Sequence, residues 1–152
     1  MTGPSFRFRL ERVRAVREGK KRLAQQELAD ALSRRSHTVA ELRRADDDLE
    51  LARTEQRSAA GEPRVVSASE LLAHQAFLER IEAKREMHAR ELEQREAEVA
   101  ERDARLTSAA SEHEMLNRLR ERHRSAHNRE LARLESNVLD EMAATRFRRG
   151  VA

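Results

Sequence analysis

Between Gly19 and Gly150 the chain carries one strong helix breaker, Gly61-Glu62-Pro63. The 152 residues include only four glycines and two prolines, and Gly3, Pro4 and Gly150 lie at the extremes. Gly19 is isolated among helix formers, where glycine costs about 1 kcal/mol relative to alanine without stopping a helix. Gly61 and Pro63 together do stop one, because glycine favours a helix C-cap and proline cannot continue the hydrogen-bond ladder. The expected fold is therefore all-α, an antiparallel coiled-coil hairpin of two long helices with the second longer than the first. The first helix is expected over about residues 5–58, the turn over 59–67 and the second helix over 68–148. Residues 1–152 then form a single coiled-coil domain.

Composition supports helices over a globule. Charged residues make up 39% of the chain and aromatics 3%, with four Phe and no Trp, Tyr or Cys. So few large apolar groups cannot fill the core of a compact domain. Disorder is the competing outcome for such a charge load. The charges, however, are mostly Arg and Glu interspersed with Ala and Leu, all good helix formers, and apolar residues recur at helical spacing. Without cysteine there are no disulfides, thiolate zinc sites or thiol nucleophiles, which fits a cytoplasmic setting. No apolar run reaches the roughly 18–20 residues of a membrane span, and alternating Phe and Arg after Pro4 argue against a secretory leader.

Charge is distributed unevenly along the chain. Phe6 to Arg22 holds eight basic residues against Glu11 and Glu18, and Asn117 to Arg149 holds nine arginines against five acids. Acids concentrate nearer the turn, at Asp46-Asp47-Asp48-Glu50 and from Glu86 to Glu101. A hairpin brings both basic stretches to one end, where they would orient an acidic partner or simply face solvent.

In the first helix Leu10, Val13, Ala24, Leu28, Ala31, Leu32, Val39, Leu42 and Leu49 share one stripe, interrupted by Arg35 and Asp46. The second begins with Ser67 and Glu70 at capping-box spacing. Leu71, Leu78, Leu92, Val99 and Leu106 follow in heptad phase, with Ile81, Ala109 and Leu116 in the companion position. Arg85, His88, Arg95 and Arg102 interrupt this seam, and arginine stems can cover it while their heads reach water. A heptad held this long favours a left-handed supercoil. Folding about Gly61 would set Leu10 opposite residues 112–116 and leave everything after about Leu119 without a partner helix. That remainder keeps an apolar stripe, Leu131, Leu134, Val138 and Met142, and so needs a binding partner.

Catalytic signatures are lacking. His123 and His127 are spaced to grip a metal from one helix face, yet no HExxH pattern or completing carboxylate accompanies them. There is no glycine-rich phosphate loop, GxSxG turn or dinucleotide fingerprint. A coiled coil also offers no concave pocket. We therefore expect a non-enzyme with no cofactor and no metal. Specific nucleic-acid binding is not expected either, because acids interrupt the basic runs and stacking aromatics are few.

The N-terminal string FRFRLERVRAVRE (Phe6 to Glu18) and the C-terminal string ESNVLDEMAATRFRR (Glu135 to Arg149) resemble the FliJ family of flagellar export proteins. That family opens with Phe-x-Phe-x-Leu-x-x-Val/Leu and closes with Leu-Asp-Glu followed by arginines. Here these are Phe6, Phe8, Leu10, Val13, then Leu139, Asp140, Glu141, with Arg146, Arg148 and Arg149 after them. Length and two-helix layout also match; the chain departs in its high arginine content and only three lysines. The resemblance implies a coiled coil similar to the central stalk of rotary ATP synthases, whose terminal end enters the hexameric export ATPase FliI. It also implies contacts with the export gate FlhA and an escort role for export chaperones, at a cytoplasmic site peripheral to the inner membrane at the flagellar basal body. Carried onto this chain, the ATPase contacts are Phe6, Phe8, Arg9, Leu10, Leu139, Asp140, Glu141 and Arg146. Leu72, Phe77 and Ile81 are candidate gate contacts on their apolar placement alone. A monomer or weak oligomer is expected. The alternative is a generic coiled-coil scaffold that dimerises through its C-terminal helix.

Overall fold

The computed structural model describes residues 5–61 and 67–150. Glu62 and Pro63, two of the three residues of the expected breaker, lie outside the described residues. Two helices account for nearly all the rest: α1 over Glu11–Ala60, 50 residues, and α2 over Ala68–Gly150, 83 residues. No strand occurs among the described residues.

The helix ends follow local chemistry. Helix α1 begins six residues later than the composition suggests, because the preceding Phe-Arg-Phe-Arg alternates with period two and does not wind. Its first turn closes with Glu11 N–H donating to the Phe8 carbonyl at 3.1 Å and Arg14 N–H to that of Leu10 at 2.9 Å. Glu11 also sits where the helix dipole favours negative charge. At the other end Gly61 N–H donates to the Ser58 carbonyl at 3.2 Å, a tight final turn. Gly61 ends the helix without the left-handed conformation common in glycine caps, since no described glycine has positive φ. Helix α2 opens with the expected capping box: Glu70 N–H donates to Ser67 Oγ at 3.2 Å and Ser67 N–H to Glu70 Oε2 at 3.0 Å.

The chain divides into two compact units, the described parts of Met1–Arg22 with Thr107–Ala152, and Leu23–Leu106. In the second of these the seam is built from small residues. Ala24, Ala31, Thr38, Ala45 and Ala52 recur every seven positions on α1 and all are buried, with Leu49 beside them. Leu32, placed on the stripe by sequence, is exposed, whereas Thr38, Ala45 and Ala52 were absent from it. Small side chains let two backbones approach closely, so this seam gains from fit over many short contacts instead of from bulky leucines. Thr38 satisfies its hydroxyl by donating to the Arg34 carbonyl at 3.2 Å.

Ion pairs set the register of this unit. Glu27 meets Arg102 at 2.9 Å, Arg34 meets Glu98 at 2.7 Å, Arg35 meets Glu96 at 3.0 Å, and Arg53 meets Glu82 at 2.8 Å. Asp46 pairs with Arg85. Rising numbers on α1 meet falling numbers on α2, so the helices run antiparallel. Arg35 and Asp46, which interrupt the apolar stripe, thus each have an opposite charge on the facing helix. The arginine heads at 85 and 102 reach carboxylates as well as water. His88 is buried on the same seam with neither ring nitrogen hydrogen-bonded.

In the other unit α1 and α2 are antiparallel too. Arg17 pairs with Glu112, Arg14 Nη1 donates to Asn117 Oδ1 at 3.5 Å, and Glu11 meets Arg120 at 3.5 Å. Leu10 therefore lies opposite roughly residue 121, not residues 112–116 as folding about Gly61 would require. The reason is visible at the helix ends: α1 continues to Ala60 and α2 starts only at Ala68, so pairing is mirrored several residues past Gly61. Packing between the N-terminal arm and α2 accordingly reaches His127, farther than the expected limit near Leu119.

Candidate partner-binding surfaces

The non-helical segment before α1 turns its two rings onto α2. Phe8 is buried with its ring edge-on to His123, centroids 5.8 Å apart at 80°, and Phe6 is half-buried against His127 at 5.7 Å. Two residues of extended chain span about 6.6 Å and four residues of helix about 6 Å. Phe at i, i+2 and His at i, i+4 therefore match in spacing, a signal present in the sequence, where the histidine pair is weighed only as a metal grip and set aside. Among the described residues no cluster of three metal-ligating side chains occurs.

Alternation gives Arg7 and Arg9 the opposite, exposed direction, and Leu10 is 38% exposed at the helix entrance. Glu11 is bound by Arg14 through two hydrogen bonds of 2.9 and 2.6 Å. That guanidinium holds the Glu11 carboxyl below its ordinary range, with Arg120 adding to the effect, and Arg14 is in turn raised by Glu11. The start of α1 is thus clamped by rings on one side and charges on the other.

Leu139, Asp140, Glu141 and Arg146 are all exposed on α2. They begin twelve residues beyond His127, about 18 Å further along the helix at 1.5 Å per residue. The two terminal motifs thus do not meet side chain to side chain. Leu134, Val138, Leu139, Met142 and Phe147 in this stretch range from 51% to 75% exposed. Leu131 alone is half-buried.

Near the start of α2 a shallow groove separates the helices, lined by Leu51, Ala52, Phe77 and Ile81. Asp48 and Glu55 border it on α1, and Arg80 and Lys84 on α2. Phe77 is 43% exposed there, whereas Leu72 is exposed outside this lining. Sequence reasoning selected Phe77 and Ile81 but missed Leu51, whose exposure follows from the seam lying on the small-residue side of α1.

A family model described as flagellar FliJ protein matches residues 6–152, beginning at the first phenylalanine of the clasp. The chain belongs to the FliJ family. No curated protein and no solved structure matches it. Membership in the FliJ family makes the chain a component of flagellar type III export, a structural class and not a known enzyme class. Among the described residues no helix is long and apolar enough to cross a membrane.

Proposed function

We propose that this FliJ-family chain acts as a central stalk for the hexameric flagellar export ATPase and as an escort for export chaperones. The observation that carries this reading is the apolar stripe of α2 beyond His127, which no other part of the described chain covers. An amphipathic helix without a packing partner is unstable by itself in water, so it calls for an external one. In this reading Phe6, Phe8, Arg9 and Leu10 at the entrance of α1, with Leu139, Asp140, Glu141 and Arg146 on the same stretch of α2 as the stripe, form the ATPase-facing end. The groove at Leu51, Phe77 and Ile81, with Leu72 near it, serves the export gate. The working location is cytoplasmic, peripheral to the inner membrane at the flagellar basal body.

The test is stimulation of the purified export ATPase by the purified chain. Replacing Leu139 and Met142 with Asp should abolish stimulation while leaving helix content unchanged, since both side chains are already exposed. Full stimulation by that variant would overturn the reading. The same exposed stripe supports a second reading, self-association through the end of α2. A dimer that persists in sedimentation at micromolar concentration would favour it over a monomer or weak oligomer.

A further inference from the structure

Arginine is treated differently in the two units. Between residues 23 and 106, nine of the twelve described arginines are ion-paired: 34, 35, 44, 53, 85, 90, 95, 102 and 105. In the terminal unit only six of fifteen are, at 14, 17, 22, 118, 120 and 133. The imbalance follows from composition. Residues 1–22 and 107–152 carry seventeen Arg and Lys against nine Asp and Glu, whereas residues 23–106 carry fourteen against nineteen. The first set cannot neutralise itself.

Six of the unpaired arginines lie within four residues of a member of the Phe–His clasp. Arg7 and Arg9 are directed outward because the intervening phenylalanines are directed inward, and Arg12 follows on the first turn of α1. On α2, Arg122 and Arg124 flank His123 on either side, and Arg129 stands two turns on from Arg122. All six are exposed, and the one hydrogen bond among them is Arg129 Nε to the Ser125 carbonyl at 3.3 Å. Of the neighbouring carboxylates, Glu11, Glu18 and Glu130 are already paired, and Glu121 has no ion pair.

We propose that this arginine collar is a docking surface for a carboxylate-rich protein surface. The inference rests on the stalk reading and specifies its chemistry: at the clasp the partner meets guanidinium groups, while Phe6 and Phe8 act as positioning residues that hold Arg7 and Arg9 outward. Arginine suits this task, because its planar fork binds a carboxylate through two parallel hydrogen bonds. All six positions are arginine. A nucleic-acid partner fits less well, since the only aromatic rings at the site are turned onto histidines and offer no stacking platform.

The experiment compares two variants of the full chain with equal charge change. One is R7Q/R9Q/R12Q; the other is R43Q/R57Q/R80Q, which removes the three described arginines without ion pairs between residues 23 and 106. Each is measured for affinity to the purified export ATPase and to a short polyglutamate peptide, at low salt and at about 0.15 M, where the Debye length is about 8 Å. The collar variant should lose about tenfold in affinity for both probes, and the control less than about twofold. Equal losses would overturn the collar. Tighter binding of single-stranded DNA than of polyglutamate at 0.15 M salt would overturn the choice of a protein partner. If the wild-type chain ignores the ATPase altogether the stalk reading fails, and the polyglutamate measurement still decides the collar. A further variant, F6A/F8A, should weaken binding by an intermediate factor that added salt reduces.

Discussion

Ala45→Leu separates two kinds of helix seam by the sign of its effect. In a leucine-filled seam, three added carbons would be buried at about 0.8 kcal/mol each, making the variant about 2 kcal/mol more stable. Here Ala45 is 0% exposed, and its heptad neighbours Thr38 and Ala52 are also small and buried. A leucine therefore has no room unless the helices separate, and overpacking of this kind typically costs about 1–3 kcal/mol. Separation would also loosen the ion pairs Arg35–Glu96 and Asp46–Arg85 on either side of position 45. The predicted difference from the leucine-seam outcome is about 4 kcal/mol, well outside the error of a urea denaturation curve followed by helical circular dichroism. The control is Ala40→Leu, at an exposed position of the same helix, which should stay within about 0.5 kcal/mol of the parent. An Ala45→Leu chain as stable as Ala40→Leu, or more stable than the parent, would refute close packing at this seam.

Ser67→Ala removes the capping box of α2 and should cost about 1 kcal/mol, read as faster hydrogen exchange in the first turn after Ala68. Phe8→Ala should cost about 2 kcal/mol, less than the 3–5 typical of a core phenylalanine because α2 covers the ring from one side. Its signature is increased exchange at Glu11 to Arg14, whose turn closes on the Phe8 carbonyl. His88→Leu should stabilise the chain by about 1 kcal/mol, since it removes two buried ring nitrogens that have no hydrogen-bond partner. Glu98 is held below its ordinary value of 4.5 chiefly by its hydrogen bond from Arg34, with Arg95 adding to it, and Glu11 is likewise lowered by Arg14. A carboxyl lowered in the folded state contributes fully above about pH 4.5 and loses that contribution as pH falls through the folded value. Stability should therefore decline on acidification below about pH 4.5. Arg34→Gln should make that decline shallower, and an unchanged acid limb would count against the pairing.

Much of the fold is legible in the chain because helices are local. Scarce glycine and proline, the Ser67–Glu70 spacing and the heptad of Leu92, Val99 and Leu106 each depend on neighbours within a turn or two, and the helices form where these signals lie. The face of α1 that packs was harder to read. Hydrophobicity scales favour Leu28, Leu32 and Val39, yet close approach of two backbones favours Ala31, Thr38 and Ala45, and burial is decided by the partner helix. The terminal motifs were legible as a family likeness, whereas the pairing of Phe6 and Phe8 with His127 and His123 depends on register across sequence separations of 121 and 115 residues. No local pattern carries that information.

Sequence alone determined that this chain forms two long helices, that they differ in length and that its basic residues gather toward the termini. Each follows from backbone propensity or from residue counts. Tertiary structure decided the register, mirrored beyond Gly61, and with it which charges are neutralised. The paired arginines between 23 and 106 and the unpaired ones near the clasp are the same residue type, and all but Arg7 and Arg9 lie on the same two helices. They differ in whether a carboxylate lies within reach: Arg44, Arg90, Arg95 and Arg105 find one on their own helix, whereas Arg34, Arg35, Arg53, Arg85 and Arg102 find theirs on the antiparallel partner, a property of two segments brought together and of neither one separately.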